Sequence, residues 1–286
     1  MDSLTAASIR AGLGTAFVGQ EVHVWPELGS TNDEARRLAR ESAPEGTLVL
    51  AEHQAAGRGR LGRRWEAPPG SSLLLSLIFR PTLAPAQSQR LTMVCGLAIV
   101  EAVEATTGLV VGLKWPNDVV AGGAKLGGIL AELELRDQAV AYAVVGIGLN
   151  VNVGPRELPG DLMQPATSLA QLLGMSVPRL PLLQAFLRAV ERRTLALAAG
   201  HSPHEEWAAR LVTLGQEVTV SDGGSTFRGR AEGVNPDGAL LVRRNAHAVG
   251  VFEGSELVLH RVGRHYVGYD TEAEYIDLAN RRIAAE

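Results

Sequence analysis

The side chains best suited to chemistry in this 286-residue chain fall in four short segments. The first is GRGRLGRR at 57–64. Its glycines, Gly57, Gly59 and Gly62, allow close approach of the backbone to a ligand and positive φ. Its arginines, Arg58, Arg60, Arg63 and Arg64, offer forked donors to carboxylate or phosphate oxygens. The stretch lacks the GxxxxGK[ST] pattern of a Walker loop, and its glycines do not open a helix as a dinucleotide fingerprint would. On residue types alone it serves a bound anion or a solvated basic hairpin, an RNA contact included. The second segment, GLKWPNDVV, gathers Lys114, Trp115, Pro116, Asn117 and Asp118 at a strand end. Lysine is a mobile charge suited to phosphate, and aspartate can hold a divalent ion or orient a donor. Trp115 on an apolar strand reads as a packing residue, and the segment also fits an ordinary strand end and turn. The third, KLGGIL, sets Lys125 before a strand, ahead of Gly127 and Gly128. The fourth, GIGLNVN, places Asn150 and Asn152 after an apolar strand, with glycines that make room for a helix or for a flat ligand. No nucleophile–base–acid order is present, so these residues point to electrostatic stabilisation of anions rather than covalent catalysis.

Such residues need rigid elements to hold them. Residues 21–25, 47–52, 72–79, 109–115, 129–135 and 139–148 have the apolar or alternating character of strands, the last two joined by a turn at Asp137 and Gln138. Thr31 with Glu34 fits a capping box opening a helix with the stripe Ala35, Leu38 and Ala39. Further helices are predicted over about 86–106, 168–173, 180–198 and 204–211, with a helical turn or two before Gly12. Beyond Gly215, short strands separated by DGG and NPDG turns predict a small barrel. At about 50 residues it must lean on the larger body to bury enough surface. The expected fold is therefore α+β: a mixed, largely antiparallel sheet with packed helices, plus a small C-terminal β-barrel. The divisions are a short extension at 1–20, a main domain at 21–213, the barrel at 214–261 and a tail at 262–286. The tail carries a weak helical pattern, EAEYIDLANRRI, and no assignable chemistry.

Composition narrows the class. Hydrophobic residues make up 46% and charged residues 20%, an ordinary globular balance. A formal net charge of -4 argues against a general polyanion binder. The single cysteine, Cys95, lies in an apolar run, which excludes an internal disulfide or a multi-cysteine zinc site and fits a reducing compartment. The chain opens with no apolar signal-like run and holds no apolar stretch of membrane-spanning length. A cytoplasmic protein with no membrane role is expected.

Taken in order, GSTN, EHQAAGRGRLGRRW, KWPND, GGAKLGGILAE and GIGLNVN resemble the catalytic region of biotin–protein ligases, over about 22–259 and with a C-terminal barrel of the SH3-like type. The resemblance implies an enzyme that joins biotin to ATP, releases pyrophosphate and holds biotinyl-5′-AMP. It then passes biotin to one lysine of a biotin carboxyl-carrier protein or domain of a biotin-dependent carboxylase. By the same resemblance, Ser30, Thr31, Asn32 and Gln54 meet the polar parts of biotin. Arg58, Gly59 and Arg60 form the loop that closes over biotin and the adenylate. Lys125 meets the biotin carboxylate and the α-phosphate. Lys114, Asn117, Asp118 and Asn150 lie on the nucleotide and magnesium (Mg2+) side, Asp118 through an indirect metal contact, and Trp65 covers the nucleotide. Arg58, Arg60, Lys114 and Lys125 are the residues expected to carry catalysis.

Some members of that family carry an N-terminal DNA-binding module longer than the roughly 20 residues that precede the match. The resemblance therefore implies the monofunctional class, without DNA binding, as a monomer or homodimer. A lipoate–protein ligase of related fold is one rival, disfavoured by GRGRLGRRW and KWPND occurring together. A non-catalytic regulator or RNA-binding protein using the arginine loop is the rival from another class. It would show binding that weakens steeply with salt and no pyrophosphate release.

Overall fold

Strand residues point alternately to opposite faces of a sheet, so the sequence alternation decides what each face meets. The computed structural model describes residues 4–158, 165–222, 225–245, 248–252 and 256–260. In chain order the first elements are α1 (Ala6–Arg10), β1 (Val22–Trp25), α2 (Thr31–Arg40), β2 (Leu48–Ala51), β3 (Ser72–Phe79) and α3 (Gln89–Thr107). They are followed by β4 (Gly112–Lys114), β5 (Asp118–Ala121), β6 (Ala124–Arg136), β7 (Ala139–Asn150), α4 (Leu169–Leu173), α5 (Arg179–Ala198) and α6 (His204–Arg210). The strands form one sheet in the order β1-β2-β3-β7-β6-β5-β4. β1 and β2 run parallel and the other neighbours antiparallel, in agreement with the mixed, largely antiparallel expectation.

One face of this sheet buries Leu75, Leu77, Val145 and Ile147 in a core shared with Cys95 and Leu97 of α3 and Phe186 and Val190 of α5. On the other face Ile78, Tyr142 and Val144 meet Ala35, Leu38 and Ala39 of α2. Each such large side chain contributes about 1.5–3 kcal/mol on burial, and a slip of one residue would turn the whole set to the opposite face. Residues 4–20 are packed into the same body: Leu4, Ile9, Leu13 and Val18 are buried in its core. The Glu191 carboxylate of α5 accepts the backbone N–H groups of Ala16, Phe17 and Val18 at 2.7, 2.8 and 2.9 Å.

Several local expectations are corrected. The capping box at Thr31 and Glu34 does not form. Ser30 is the N-cap and makes no side-chain cap bond, while Thr31 is already helical. The cap comes from a distant residue instead: Gln54 Oε1 accepts the Thr31 N–H at 2.7 Å. The strand expected over 109–115 is confined to β4, because KWPND folds back as a tight hairpin in which Lys114 faces Asp118. Asp118 thereby opens β5, a four-residue strand too short to show a period. Lys125 stands inside β6 rather than ahead of it.

The smaller sheet comprises β8 (Glu217–Asp222), β9 (Ser225–Val234), β10 (Leu240–Asn245), β11 (Ala248–Phe252) and β12 (Glu256–His260), in the order β11-β10-β9-β8-β12. Val218, Val220, Ala231, Leu240 and Val242 join the core of the larger body. Trp115 is buried, as expected of a packing residue, and its Nε1 donates to the Gly238 carbonyl at 2.8 Å. Arg90 of α3 pairs with Asp237 at 2.8 Å. The small sheet thus leans on α3 and the end of β4, which supplies the burial it is too small to generate alone. The helical pattern in the C-terminal tail lies outside the described residues. Among the described residues, no helix is long and apolar enough to cross a membrane.

Candidate active site

α2 covers only part of its face of the sheet. Alternation continues that face from Ile78 to Ser76 on β3, from Val144 to Gly146 and Gly148 on β7, and to Gly128 and Glu132 on β6. The glycines are needed here for space. A Cβ on Gly146 would lie 2.1 Å from Asn32 Oδ1, and one on Gly148 would lie 2.4 Å from Cε2 of Trp65. The room left in GIGLNVN is therefore taken by two of the chain's own side chains. The flat group lying over this strand is the Trp65 indole.

The N-terminus of α2 is tied to the sheet by side chains far apart in sequence. Gln54 Oε1 lies 3.1 Å from Thr31 Oγ1, besides accepting the Thr31 N–H. The Ser76 hydroxyl lies 2.8 Å from Thr31 Oγ1 and donates to Asn32 Oδ1 at 2.6 Å. Asn32 in turn donates through Nδ2 to Glu132 Oε2 at 2.7 Å and to the Leu130 carbonyl at 3.3 Å. Ser30, Thr31 and Asn32 are all buried, so the network is oriented by satisfied bonds rather than by solvent. Ser76 and Glu132 escape the sequence reading. Their signal is a polar residue within an otherwise apolar strand pattern, SLLLSLIF and GILAELE.

The arginine-rich stretch closes as a short hairpin. Trp65 N–H donates to the Gly57 carbonyl at 2.9 Å, and Gly59 N–H to the Arg63 carbonyl at 2.7 Å. A single 3-10 turn, Arg60–Gly62, forms the tip, with Leu61 at φ 62 and Gly62 at φ 70. Gly57 admits this return because a Cβ there would lie 2.4 Å from the Trp65 carbonyl oxygen. Arg58 does not point at the lysines. Its Nη1 and Nη2 donate to Asp33 Oδ2 and Oδ1 at 2.6 and 2.7 Å, and Nη2 lies 3.6 Å from Glu132 Oε1. These bonds, chiefly Arg58's, hold the Asp33 carboxyl at about 2 against the opposing effect of burial, with Arg36 assisting.

Lys125 reaches the Trp65 face through a β-bulge. The β5–β6 register shifts between Val119, opposite Gly127, and Val120, opposite Lys125. Leu126 is thereby turned into the core and Lys125 toward Gly128: a Cβ on Gly128 would lie 3.5 Å from Lys125 Nζ and 3.4 Å from the Trp65 ring. Lys125 Nζ sits 2.5 Å from Asp118 Oδ1 and 5.9 Å from the centre of the Trp65 ring. Burial lowers the pKa of Lys114, opposed by the Asp118 charge and assisted by Lys125 and Arg63. Among the described residues nothing accepts a hydrogen bond from the buried Trp65 Nε1, an orphaned donor that an acceptor on a ligand would satisfy. Asn117 and Asn150 brace this cluster: Asn117 Nδ2 donates to the Ile129 carbonyl at 2.7 Å, and Asn150 Nδ2 to the Thr167 carbonyl at 3.0 Å. Thr167 N–H is itself bonded to the Lys125 carbonyl at 2.9 Å.

The structure thus brings Thr31, Asn32 and Gln54 into one cluster and Lys114, Lys125, Asp118 and Trp65 into a second on the same face, with Ser30 at the helix cap and Gly59 and Arg60 in the hairpin. Among the described residues no three His, Cys, Asp or Glu side chains gather as a metal site. Asp118 is the carboxylate of the lysine cluster. That donor set suits a magnesium ion carried on substrate phosphates rather than one caged by protein.

Two family models match the chain: the Biotin/lipoate A/B protein ligase family over residues 27–150, and the Biotin protein ligase C terminal domain over 213–251. The biotin--[acetyl-CoA-carboxylase] ligase of Mycobacterium tuberculosis is 36% identical over 250 residues, covering 85% of this chain and 90% of that protein. The bifunctional ligase/repressor BirA of Bacillus subtilis is 36% identical over 244 residues, covering 85% of this chain and 75% of that protein. Among solved structures, the biotin protein ligase from Aquifex aeolicus in complex with biotin and ATP matches with a TM-score of 0.69 at 29% identity, over 85% of this chain and 99% of that one.

Proposed function

The chain belongs to the biotin/lipoate protein ligase family, and from this we infer that it is an ATP-dependent biotin–protein ligase, forming biotinyl-5′-AMP from biotin and ATP and then biotinylating a lysine of a biotin carboxyl-carrier domain. The observation that carries the reading is the convergence of Lys125, Asp118, Lys114 and Trp65 on the sheet face that also holds the Thr31, Asn32 and Gln54 cluster.

The chemistry follows from charge. In the first step an oxygen of the biotin carboxylate attacks the α-phosphorus of ATP, and the bond to pyrophosphate breaks. The carboxylate is already ionised at neutral pH, so no general base is required. The difficulty is bringing two anions together. Lys125 and Lys114 supply positive charge where it develops on the α-phosphoryl oxygens. Asp118, 2.5 Å from Lys125 Nζ, fixes the direction of that ammonium. A magnesium ion, held on the ATP phosphates with Asp118 as its indirect protein partner, would supply further charge neutralisation. Thr31, Asn32 and Gln54 orient the polar ring of biotin, and Trp65 lies against the nucleotide. Alignment then supplies much of the rate. The hairpin at 57–65, with Arg58, Gly59 and Arg60, shields the labile mixed anhydride from water. In the second step the carrier lysine amine attacks the acyl carbon, AMP leaves, and the amine loses a proton.

The test is transfer of labelled biotin from biotin and ATP to a carrier domain, with lipoate in a parallel reaction. Pyrophosphate release and label on one carrier lysine are the expected result. Adenylate formation with lipoate and none with biotin would overturn the reading. Gel filtration with and without biotin separates the monomer from the homodimer.

A further inference from the structure

We propose that Asp33 is a placeholder anion: it parks Arg58 away from the lysine cluster and must be displaced by a substrate anion before the hairpin can serve the reaction. The proposal rests on the assignment of Arg58 to bound biotin and adenylate.

The geometry of the pair is that of a ligand complex. Both Arg58 terminal nitrogens meet both Asp33 oxygens, at 2.6 and 2.7 Å, the forked arrangement in which a guanidinium binds a substrate carboxylate or phosphate. The direction is wrong for the reaction. Glu132, 3.6 Å from Arg58 Nη2, lies four residues along β6 from Gly128, whose absent side chain leaves the space beside Lys125 Nζ. At a strand's rise per residue that offset is about 13 Å. Arg58 therefore faces Asp33 and the Glu132 end of the site rather than Lys125 in this conformation.

Exchange is easy on both sides. Arg58 is flanked by Gly57 and Gly59, and a Cβ on Gly59 would meet nothing closer than 3.7 Å. Asp33 keeps a second partner, Arg36 Nη2 at 2.5 Å, so its charge is not stranded when Arg58 leaves. The side chains of Arg58 and Asp33 are 36% and 48% exposed, so solvent and a substrate phosphate have access to the pair, and a phosphate offers the guanidinium the same forked geometry.

The test uses the full-length protein and a hydrolysis-resistant analogue of biotinyl-5′-AMP as the probe, titrated against wild type, Asp33→Asn, Arg58→Ala and the double variant, with Asp33→Ser as a second replacement. Loss of the placeholder should tighten analogue binding about two- to fivefold, the range set by an exposed pair. Arg58→Ala should weaken binding, and Asp33→Asn should then have no effect in the Arg58→Ala background. Unchanged or weaker binding in both Asp33 variants, or tightening that persists without Arg58, would overturn the proposal. Pyrophosphate release by the wild-type protein is run alongside: its absence would overturn the enzymatic reading itself, whereas normal turnover with an inert Asp33 overturns only the placeholder.

Discussion

Gly148→Ala is the most direct probe of how the nucleotide side is built. An alanine Cβ would stand 2.4 Å from Trp65 Cε2, 2.7 Å from Cζ2 and 2.8 Å from Nε1. Carbon atoms prefer about 3.5–4.0 Å, so the indole must retreat by about 1 Å or more. It can do so, because Trp65 sits at the foot of a hairpin and is only half-buried. The fold should therefore survive, at less than the roughly 1–3 kcal/mol that overpacking costs inside a rigid core. The loss should appear in catalysis, where a displacement of this size costs up to about a hundredfold. Steady-state pyrophosphate release should show kcat/KM for ATP reduced by about ten- to a hundredfold, with a thermal midpoint near wild type. Adding Trp65→Ala removes the ring the new methyl strikes, so the two changes should be strongly non-additive. Wild-type kcat/KM in Gly148→Ala, or full additivity in the double variant, would refute the reasoning that Gly148 exists to seat Trp65.

Two further outcomes are expected. Lys125→Met should cut biotinyl-5′-AMP formation by about a hundredfold or more, the loss expected on removing one preorganised charge. Its melting temperature should hardly change, since the lysine's ion pair with Asp118 is partly exposed; synthesis at the wild-type rate would remove its role. At Glu191 burial raises the carboxyl pKa, but the backbone donors of Phe17, Ala16 and Val18 outweigh it and hold the group below the ordinary glutamate value. Because the folded value is depressed, this stabilisation is complete above the unfolded value and is lost as pH falls through the folded one. Glu191→Gln should cost about 1–3 kcal/mol by leaving backbone donors unsatisfied. It should also flatten the acid side of the stability curve, which denaturant titration from neutral to acidic pH would measure; an unchanged acid limb would show that the carboxylate does not latch the N-terminal segment.

Much of the architecture is legible in the residues because it depends on neighbours. A nearly continuous apolar run marks the eight residues of β3, and the turn at Asp137 and Gln138, at φ 51 and 63, joins β6 to β7 as its position suggests. The apolar stripe of α2 and the NPDG turn of the small sheet are equally local, while the two glycines of DGG lie outside the described residues. The capping box fails for the opposite reason: the group that caps α2 is Gln54, 23 residues from Thr31, beyond any local pattern.

For the candidate site the division is the same. By itself the sequence determined which residue types were present for the chemistry: the arginines of 57–64, Lys114, Asp118, Lys125 and the polar residues at 30–32. It also determined the family to which their order belongs. Only the tertiary structure decided who stands against whom. A bulge turns Lys125 rather than Leu126 toward Trp65, and Gly146 and Gly148 receive Asn32 and Trp65. Asn32 is held by Ser76 and Glu132, 44 and 100 residues away, and Arg58 turns to Asp33. Spacing encodes neighbours along a strand or helix, whereas these pairings arise when strands distant in sequence are brought into register by the burial of their opposite faces.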